Sequence, residues 1–355
     1  MIEINNFVNV NIERNVQLTL SGSREEVLLF SAKTSATLVG HNSDYTKFYS
    51  SSSSNTEVEL DDADKPYAKY FFMNGGCKLT LKKDAIPTDE DGFKALSTNN
   101  VILASEATIS NATFTALDSL KGVYQKIIVV RTEDPSNDST PESSFIASKY
   151  SMKVGSEMAI AGYLSQIKFY QNNSPVDYDF TLETLPTGSE EDLSDKVILD
   201  EDSLIKYKYN FNMKIGDNYY NIGGNTTDGN DLVEQFGLIV MEQELTTSIF
   251  KTLSTKVSGQ KGLASIRTSV ADTLNNFVDS GFLITNQVWT QNDLVLENKV
   301  KKGNYEVVIA KNTPISNGYY IHIFKISTDL RKAYVAIVVA TNKGIRYVEV
   351  DGKAI

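Results

Sequence analysis

The first twenty residues alternate between apolar and polar side chains, which predicts β-strand with one apolar face. A single strand of that length would extend roughly 60 Å, whereas strands in globular domains have about five or six residues. The segment is therefore either an ordinary N-terminal hairpin or edge strand, or an arm that completes a sheet in another subunit. Phe7 is the one large apolar residue at an odd position, and the apolar even positions are Ile2, Ile4, Val8, Val10, Ile12, Val16, Leu18 and Leu20.

Short apolar runs and helical patterns then alternate along the first half of the chain. Pro66 and the pair Gly75-Gly76 bracket one helical segment, as is usual for proline at a helix start and glycine past its end. This alternation predicts an α/β layer with some parallel strand pairing. The predicted strands cover 27–31, 77–81 and 127–130, and the predicted helices cover 67–74, 112–121 and, after a polar surface loop, 156–169.

The last third has a different pattern, with two long helices followed by short strands. One helical region covers 231–256, and a second has apolar residues every three or four positions and ends at Gly281. The short links between the later strands predict an antiparallel meander packed on the two helices. The predicted strands of this meander cover 305–310, 319–326, 333–340 and 345–350.

These patterns give a mixed α+β and α/β fold class with extended N- and C-terminal strand arms. We predict an N-terminal strand arm over 1–22, an α/β domain over 23–225 and a C-terminal domain over 226–355, with a Gly/Asn/Thr hinge at 221–230. The strand pattern of the arm stops at Ser21-Gly22-Ser23, where Gly22 permits a bend. We expect the arm to pair with the closing meander, because only that antiparallel sheet offers exposed edges.

Composition and charge exclude several classes of function. The 355 residues include 41% hydrophobic and 22% charged residues, as in a soluble globular protein, and the formal net charge of −11 argues against a nucleic-acid partner. The longest apolar run, 334–340, is too short to cross a bilayer, so no membrane contact is expected. The N-terminus lacks the features of a signal peptide and Cys77 is the single cysteine, which indicates cytoplasmic synthesis.

Catalytic and metal-binding patterns are not found. The chain has two histidines, His41 and His322, and no zinc spacing, phosphate-binding loop or nucleophile elbow. The run Asp89-Glu90-Asp91-Gly92 suggests a calcium loop, but an EF-hand register would place Pro87 and Thr98 at ligand positions that need carboxylates. We therefore expect no catalytic residue, cofactor or metal. Paired carboxylates for glycoside hydrolysis stay open, because Asp and Glu are plentiful.

Several segments, taken in order, resemble contractile phage tail sheath proteins, the family of myophage and R-type bacteriocin sheaths. The likeness covers most of the chain, which is short for the family and would keep only its common core. The matching segments are Phe7-Val8-Asn9-Val10-Asn11-Ile12, Val27-Leu28-Leu29-Phe30, the helix-to-strand turn Tyr67-Ala68-Lys69-Tyr70-Phe71-Phe72-Met73-Asn74-Gly75-Gly76, the helix 155–169, the helical pair 250–282 and the closing meander 318–350.

The resemblance implies a structural, non-enzymatic role. Sheath subunits form hexameric rings stacked helically around an inner tail tube, with baseplate and tail terminator proteins at the ends, and contract from a metastable extended state. Such a protein is cytoplasmic during assembly and then part of a released virion or tail-like particle. Its arms would exchange strands between subunits through Ile2, Ile4, Phe7, Val8, Val10, Ile12, Ile345, Tyr347, Val348 and Val350, with Ser21, Gly22 and Ser23 as the linker.

The alternative is a phage or surface-associated carbohydrate-binding or hydrolytic module. The two hypotheses differ in what negative-stain microscopy of the purified protein would show. A sheath gives rings, filaments or hollow tubes, whereas the alternative gives a monodisperse monomer with binding or activity toward a glycan.

Overall fold

The computed structural model describes residues 7–9, 26–50, 56–96, 101–120, 126–133, 140–151, 153–167, 169, 208–215, 218–255, 259–290, 294–300, 303–325 and 333–342. These residues form two compact units. The α/β unit contains those between Ser21 and Ile167 and between Val176 and Phe236, and the C-terminal unit contains residues 7–9, Phe169 and Gly237–Asn342. The predicted limits at residues 22 and 225 stay a prediction.

A six-stranded sheet forms the centre of the α/β unit. Its spatial order is β10-β9-β8-β2-β7-β3, and all neighbours are parallel except the edge strand β3. The predicted α/β layer with parallel pairing is thus confirmed. The strands are β2 (Glu26–Phe30), β3 (Ala36–Leu38), β7 (Lys78–Leu81), β8 (Ile102–Ser105), β9 (Ile127–Thr132) and β10 (Ile146–Tyr150). Three short strands, β4 (Gly40–His41), β5 (Phe48–Tyr49) and β6 (Glu57–Val58), form a small separate sheet.

Helices cover both faces of this sheet, which explains the continuous apolar runs in β2, β8 and β9. On one face Leu28 and Phe30 pack with Phe93 of α2 and Leu117 of α3. On the other face α4 contacts β2, β8 and β9, and α1 packs on α4. The helices are α1 (Lys65–Met73), α2 (Glu90–Ala95), α3 (Asn111–Leu120) and α4 (Met158–Gln166).

Helices α1 and α4 approach so closely that a glycine is required between them. A Cβ built on Gly162 would lie 2.3 Å from the carbonyl oxygen of Phe71. As predicted, Pro66 lies in the first turn of α1 and Gly75 follows its end, with a φ of +82° that glycine adopts at little cost. Helix α4 is shorter than the predicted 156–169, because Ile167 is already extended.

Several elements of the α/β unit were not predicted from the sequence, among them β3, β8, β10 and α2. Strand β10 contains a completely buried lysine, Lys149, whose ammonium group donates to Oδ1 of Asn212 at 2.7 Å. Asn212 belongs to a hairpin of β11 (Phe211–Ile215) and β12 (Asn218–Ile222). Burial of these polar side chains is tolerated because they hydrogen-bond to each other.

The segment predicted as a hinge is held by hydrogen bonds within the α/β unit. The side chain of Asn210 donates to the carbonyl of Asn225 at 2.9 Å and accepts from its N–H at 3.1 Å. The N–H of Thr227 donates to Ile146 at the start of β10. Gly223 and Gly224 both have positive φ, so the chain can turn there before α5 (Leu232–Ser254) begins.

The C-terminal unit contains most of α5 together with α6 (Gly259–Asp279), and three sets of strands. A short pair joins β13 (Gln287–Val288) to β16 (Pro314–Ile315), and a hairpin joins β14 (Leu294–Val300) to β15 (Gly303–Ile309). The third set is β17 (Tyr319–Lys325), β18 (Ala333–Val339) and the N-terminal β1 (Phe7–Asn9).

The prediction of a single closing meander is wrong in one respect. Residues 305–310 were predicted to belong to it, but β15 pairs with β14 in a separate hairpin. Strand β14 was not predicted, because apolar and polar residues do not alternate in Leu294–Val300. Its three consecutive apolar residues are followed by three polar ones. The predicted last strand, 345–350, lies outside the described residues.

Candidate interaction site: the terminal sheet

The terminal sheet, defined as β1, β18 and β17, joins the two ends of the chain. Strand β18 is central, with β17 antiparallel on one side and β1 antiparallel on the other. Phe7, Val8 and Asn9 are paired with residues 338, 337 and 336 in that order. The described residues of the N-terminal segment, Phe7–Asn9, therefore pair with the C-terminal sheet and not with the central sheet of the α/β unit, as was expected from the exposed edges of antiparallel strands.

Helix α6 packs on one face of the terminal sheet. The hydroxyl group of Tyr319 on β17 donates to Oδ1 of Asn275 on α6 at 2.8 Å. Ile321 and its register partner Ile337 lie on the same face as Tyr319 and are buried. Burial and the nearby carboxylate of Asp272 raise the pKa of Tyr319, so this hydroxyl keeps its proton and remains a donor.

The opposite face is covered by the only tryptophan of the chain. Trp289, Ile315, Val338 and Ala340 form one buried cluster, with Tyr320 packed against it. Main-chain bonds fix the surrounding loops, since Trp289 donates to Thr313 at 3.0 Å and accepts from Asn312 at 2.7 Å. Both faces of the sheet are therefore occupied, and an additional partner strand has access only to the sheet edges.

Strand β18 was predicted as a strand of the closing meander, over 333–340, but its role as the partner of the N-terminal segment was not assigned. Its signal is the apolar run 334–340, in which apolar residues do not alternate with polar ones. Such a run indicates a strand buried on both faces. Val335, Ile337, Val338 and Val339 are in fact all at most 8% exposed.

The structure brings only part of the predicted exchange set together. Phe7 and Val8 lie in β1 and pair with β18. The other predicted exchange positions, Ile2, Ile4, Val10, Ile12, Ile345, Tyr347, Val348 and Val350, lie outside the described residues, as do Ser21, Gly22 and Ser23. Their roles stay predictions.

A second surface of the C-terminal unit carries an unusual charge. The basic helical tip, defined as residues 245–271, contains no acidic residue in a chain of net charge −11. Its basic residues within the described part of the chain are Lys251, Lys261 and Arg267. The two helices are linked there by a 2.6 Å hydrogen bond between the hydroxyl groups of Ser248 and Ser269.

The basic helical tip also exposes large apolar side chains. Phe250 is 38% exposed and Leu253, one turn further along α5, is 40% exposed. Lys251, Lys261 and Arg267 are exposed as well. An exposed apolar pair in a segment whose charged residues are all basic is typical of a surface that binds an acidic protein partner.

The acidic run considered for calcium has a structural role. Oδ1 of Asp89 accepts from the N–H of Gly92 at 2.7 Å and so caps α2. In the part of the chain that the structure describes, no group of three or more His, Cys, Asp or Glu residues could hold a metal ion. No described helix is long and apolar enough to span a membrane.

This chain has a fold similar to that of chains found in contractile injection systems. It resembles a chain of the anti-feeding prophage (AFP) baseplate, with 15% identity, a TM-score of 0.59 and coverage of 98% of both chains. It also resembles a chain of the PVC sheath complex, an extracellular contractile injection system in the contracted state, with 12% identity, a TM-score of 0.59 and coverage of 97% and 96%. The resemblance to contractile sheath proteins is thereby confirmed at the level of the fold.

No family model matches the chain. No curated protein matches it either.

Proposed function

We propose that this chain is the sheath subunit of a contractile injection system, which forms hexameric rings stacked helically around an inner tube. The observation that carries the proposal is the pairing of β1 with β18, in which the N-terminal segment completes the C-terminal sheet. The shared fold with contractile system components supports it. The subunit needs no cofactor or active site, because its work is done by rearrangement of the assembly.

The energetics of β1 permit exchange between subunits. A three-residue strand gains only a few hydrogen bonds, each netting about 0.5–1.5 kcal/mol. Ordering three residues costs about 1–2 kcal/mol each, so the two contributions nearly cancel. A strand from the same chain and the same strand from a neighbour therefore compete for β18 on equal terms. In a closed lattice the neighbour's strand is held at high effective concentration, and many weak links become a continuous mesh.

The C-terminal strand arm is the proposed second link. Among the described residues, β17 has a strand on one side only, so its outer edge is available as an acceptor. In an extended strand Ile345 and Tyr347 would lie on one face and Val348 and Val350 on the other, so both faces of the added strand would carry apolar residues. With one arm on β18 and another on β17, each subunit would connect to neighbours in two directions.

The basic helical tip is the proposed contact with the inner tube. A tube surface rich in carboxylates would complement Lys251, Lys261 and Arg267, while Phe250 and Leu253 would supply apolar contact. Baseplate and terminator proteins would bind the two ends of the sheath. Assembly would take place in the cytoplasm of the producing cell, before release of the particle.

Deletion of residues 1–12 tests the role of the arm. We expect a folded, soluble protein that no longer forms rings or tubes by negative-stain microscopy, while the full-length chain does. A sharper variant keeps residues 1–12 and changes only the apolar Val8→Asp. Its matched control changes the neighbouring polar residue, Asn9→Asp. Normal tubes from the truncated chain, or a monomer active on a glycan, would contradict the proposal.

Charge reversal tests the tube contact separately. The triple variant Lys251→Glu, Lys261→Glu and Arg267→Glu should still self-assemble but fail to co-sediment with the purified inner tube. Wild-type binding should weaken as salt is raised, because the attraction is electrostatic. As a control, Lys47→Glu with Lys65→Glu reverses exposed charges of the α/β unit and should leave tube binding unchanged. Equal binding by both variants would exclude the basic helical tip as the contact.

A further inference from the structure

Four polar side chains form a continuous network across the edge of the central sheet of the α/β unit. The hydroxyl group of Thr80 on β7 donates to Oε1 of Glu26 on β2 at 2.7 Å. The other carboxylate oxygen of Glu26 lies 3.2 Å from Nζ of Lys78. In the opposite direction, the hydroxyl oxygens of Thr80 and of Thr37 on β3 are 3.0 Å apart. These side chains connect β2, β7 and β3, and we call them the edge network: Lys78, Glu26, Thr80 and Thr37.

The strand register places the edge network on one face of the sheet. Glu26 is the register partner of Lys78, and Thr37 is the register partner of Thr80. Lys78 and Thr80 are two positions apart, so they lie on the same face of β7. The side chain of Glu26 is 16% exposed and that of Lys78 is 32% exposed. The network is therefore partly shielded from water, where its hydrogen bonds compete less with solvent.

The carboxylate of Glu26 sets the direction of the hydrogen bonds. A carboxylate only accepts, so the single hydroxyl hydrogen of Thr80 is used in the bond to Glu26. Thr80 can then only accept from Thr37, whose hydroxyl group is the donor of the second bond. Each bond polarises the next, so the three side chains act as a unit. The position of Thr37 on the edge strand therefore depends on a carboxylate two strands away.

The main chain alone would hold the edge strand β3 only weakly. Strand β3 has three residues, Ala36–Leu38, and is the last strand of the central sheet in the part of the chain that the structure describes. It pairs antiparallel with β7, just as the three residues of β1 pair with β18. The few main-chain hydrogen bonds of so short a strand are offset by the cost of ordering it. Side-chain contacts therefore decide whether such a strand stays in place or is exchanged.

The edge of β7 that β3 covers also fits the N-terminal strand arm. On β7, Leu79 and Leu81 are buried and alternate with half-buried polar residues. A strand that pairs with β7 therefore needs one apolar and one polar face, which β3 provides with the fully buried Leu38 and with Thr37. The first twenty residues alternate in the same way. Without β3, the edge of β7 would be an acceptor for the arm of another subunit.

We propose that the edge network holds β3 on β7 and thereby prevents the central sheet from accepting donated strands. Strand exchange is then restricted to the terminal sheet. This inference rests on the proposed exchange of arms between subunits, whereas the network itself does not. Glu26 is a positioning residue, because it acts on β3 through Thr80 and Thr37. A subunit with an open edge at β7 would be linked to its neighbours through the wrong sheet.

Amide hydrogen exchange in the full-length protein tests the edge network. Thr80→Val and Thr37→Val keep the branched shape of the side chain and remove one hydroxyl group, so both variants should fold. Each should accelerate the exchange of β3 about two- to tenfold, as expected for the loss of a hydrogen bond. Glu26→Ala should do the same alone but add little to Thr80→Val, because the connection is then already broken. The control Glu59→Ala removes an exposed carboxylate of the same unit and should leave the exchange of β3 unchanged.

The pattern of the double variants decides whether the side chains act together. Independent, additive effects of Glu26→Ala and Thr37→Val would overturn the edge network. Exchange of β3 as slow as in wild type in all the single variants would overturn it as well.

A synthetic peptide of residues 1–12 that carries a photo-crosslinking group tests the restriction of strand exchange. Mixed with full-length wild type, it should crosslink mainly to β18, as located by mass spectrometry. With Thr80→Val the yield of crosslinks to β7 should be about two- to tenfold higher, and with the control Glu59→Ala it should match wild type. Equal crosslinking to β7 in Thr80→Val and wild type would overturn the inference. Absence of crosslinks to β18 would instead contradict the proposed exchange of arms, whatever is found at β7.

Discussion

Replacement of Gly162 by alanine is a direct test of the packing between α1 and α4. The added methyl carbon would lie 2.3 Å from the carbonyl oxygen of Phe71, and the helices must separate by about 1 Å before an ordinary contact is restored. Phe71 is fully buried, so α1 has no open space into which to move. Overpacking of this kind costs about 1–3 kcal/mol, and the backbone clash places the cost near the upper end.

A second effect acts in the opposite direction. Alanine is favoured over glycine inside a helix by about 1 kcal/mol, so the net destabilisation should be about 2 kcal/mol. For a unit of roughly 200 residues this lowers the melting temperature by about 4–8 °C. The assay is thermal unfolding followed by circular dichroism.

Gly40→Ala is the matched control for this prediction. At Gly40 the nearest side-chain atom to a new Cβ is Cδ2 of Tyr49, at the ordinary contact distance of 3.8 Å. We expect its stability to stay within about 0.5 kcal/mol of wild type. A Gly162→Ala protein that melts at or above the wild-type temperature would refute the close approach of the two helices.

Three further predictions concern other parts of the chain. Asn210→Ala removes the buried side chain that holds the turn before α5 and should cost about 3 kcal/mol in denaturant unfolding, because main-chain groups lose their partners. Tyr319→Phe removes only the bond to Asn275 and should cost no more than about 1 kcal/mol in the same assay. Two or three Gly/Ser residues inserted at 21–23 add up to about 3.3 Å of slack each, and should preserve assembly but reduce the contracted fraction seen by microscopy after urea or acid treatment.

Three of the six strands of the central sheet, β2, β7 and β9, were predicted from short apolar runs separated by helices with clear start and stop signals, whereas β3 and β8 were not predicted. Strand β10 could not be predicted, because Ser148 and Lys149 interrupt its apolar pattern and are stabilised by groups distant in the sequence. A hydrogen bond between residues 149 and 212 has no local signature. Long-range compensation of this kind is visible only in the folded chain.

The terminal sheet was likewise predicted only in part. That the N-terminal segment would pair with the C-terminal sheet was predicted from the exposed edges of antiparallel strands. The partner strand and its register were not, because Val8 and Ile337 are brought together only by the tertiary fold. Likewise, apolar and polar residues alternate in β15 as they would in a strand of the meander. Only the structure shows that β15 pairs with β14.

The position of Trp289 gives the chain a built-in optical probe. As the sole tryptophan, it is the one residue whose emission can be excited selectively, and it is 3% exposed against Val338, the register partner of Phe7. Loss, return or replacement of the strand on β18 alters the packing beside the indole ring, and the α/β unit contributes no tryptophan signal. The wavelength and the quenching of the tryptophan emission therefore report, in an unlabelled protein and in real time, whether a strand is paired with β18. Circular dichroism, in contrast, reports on the whole chain.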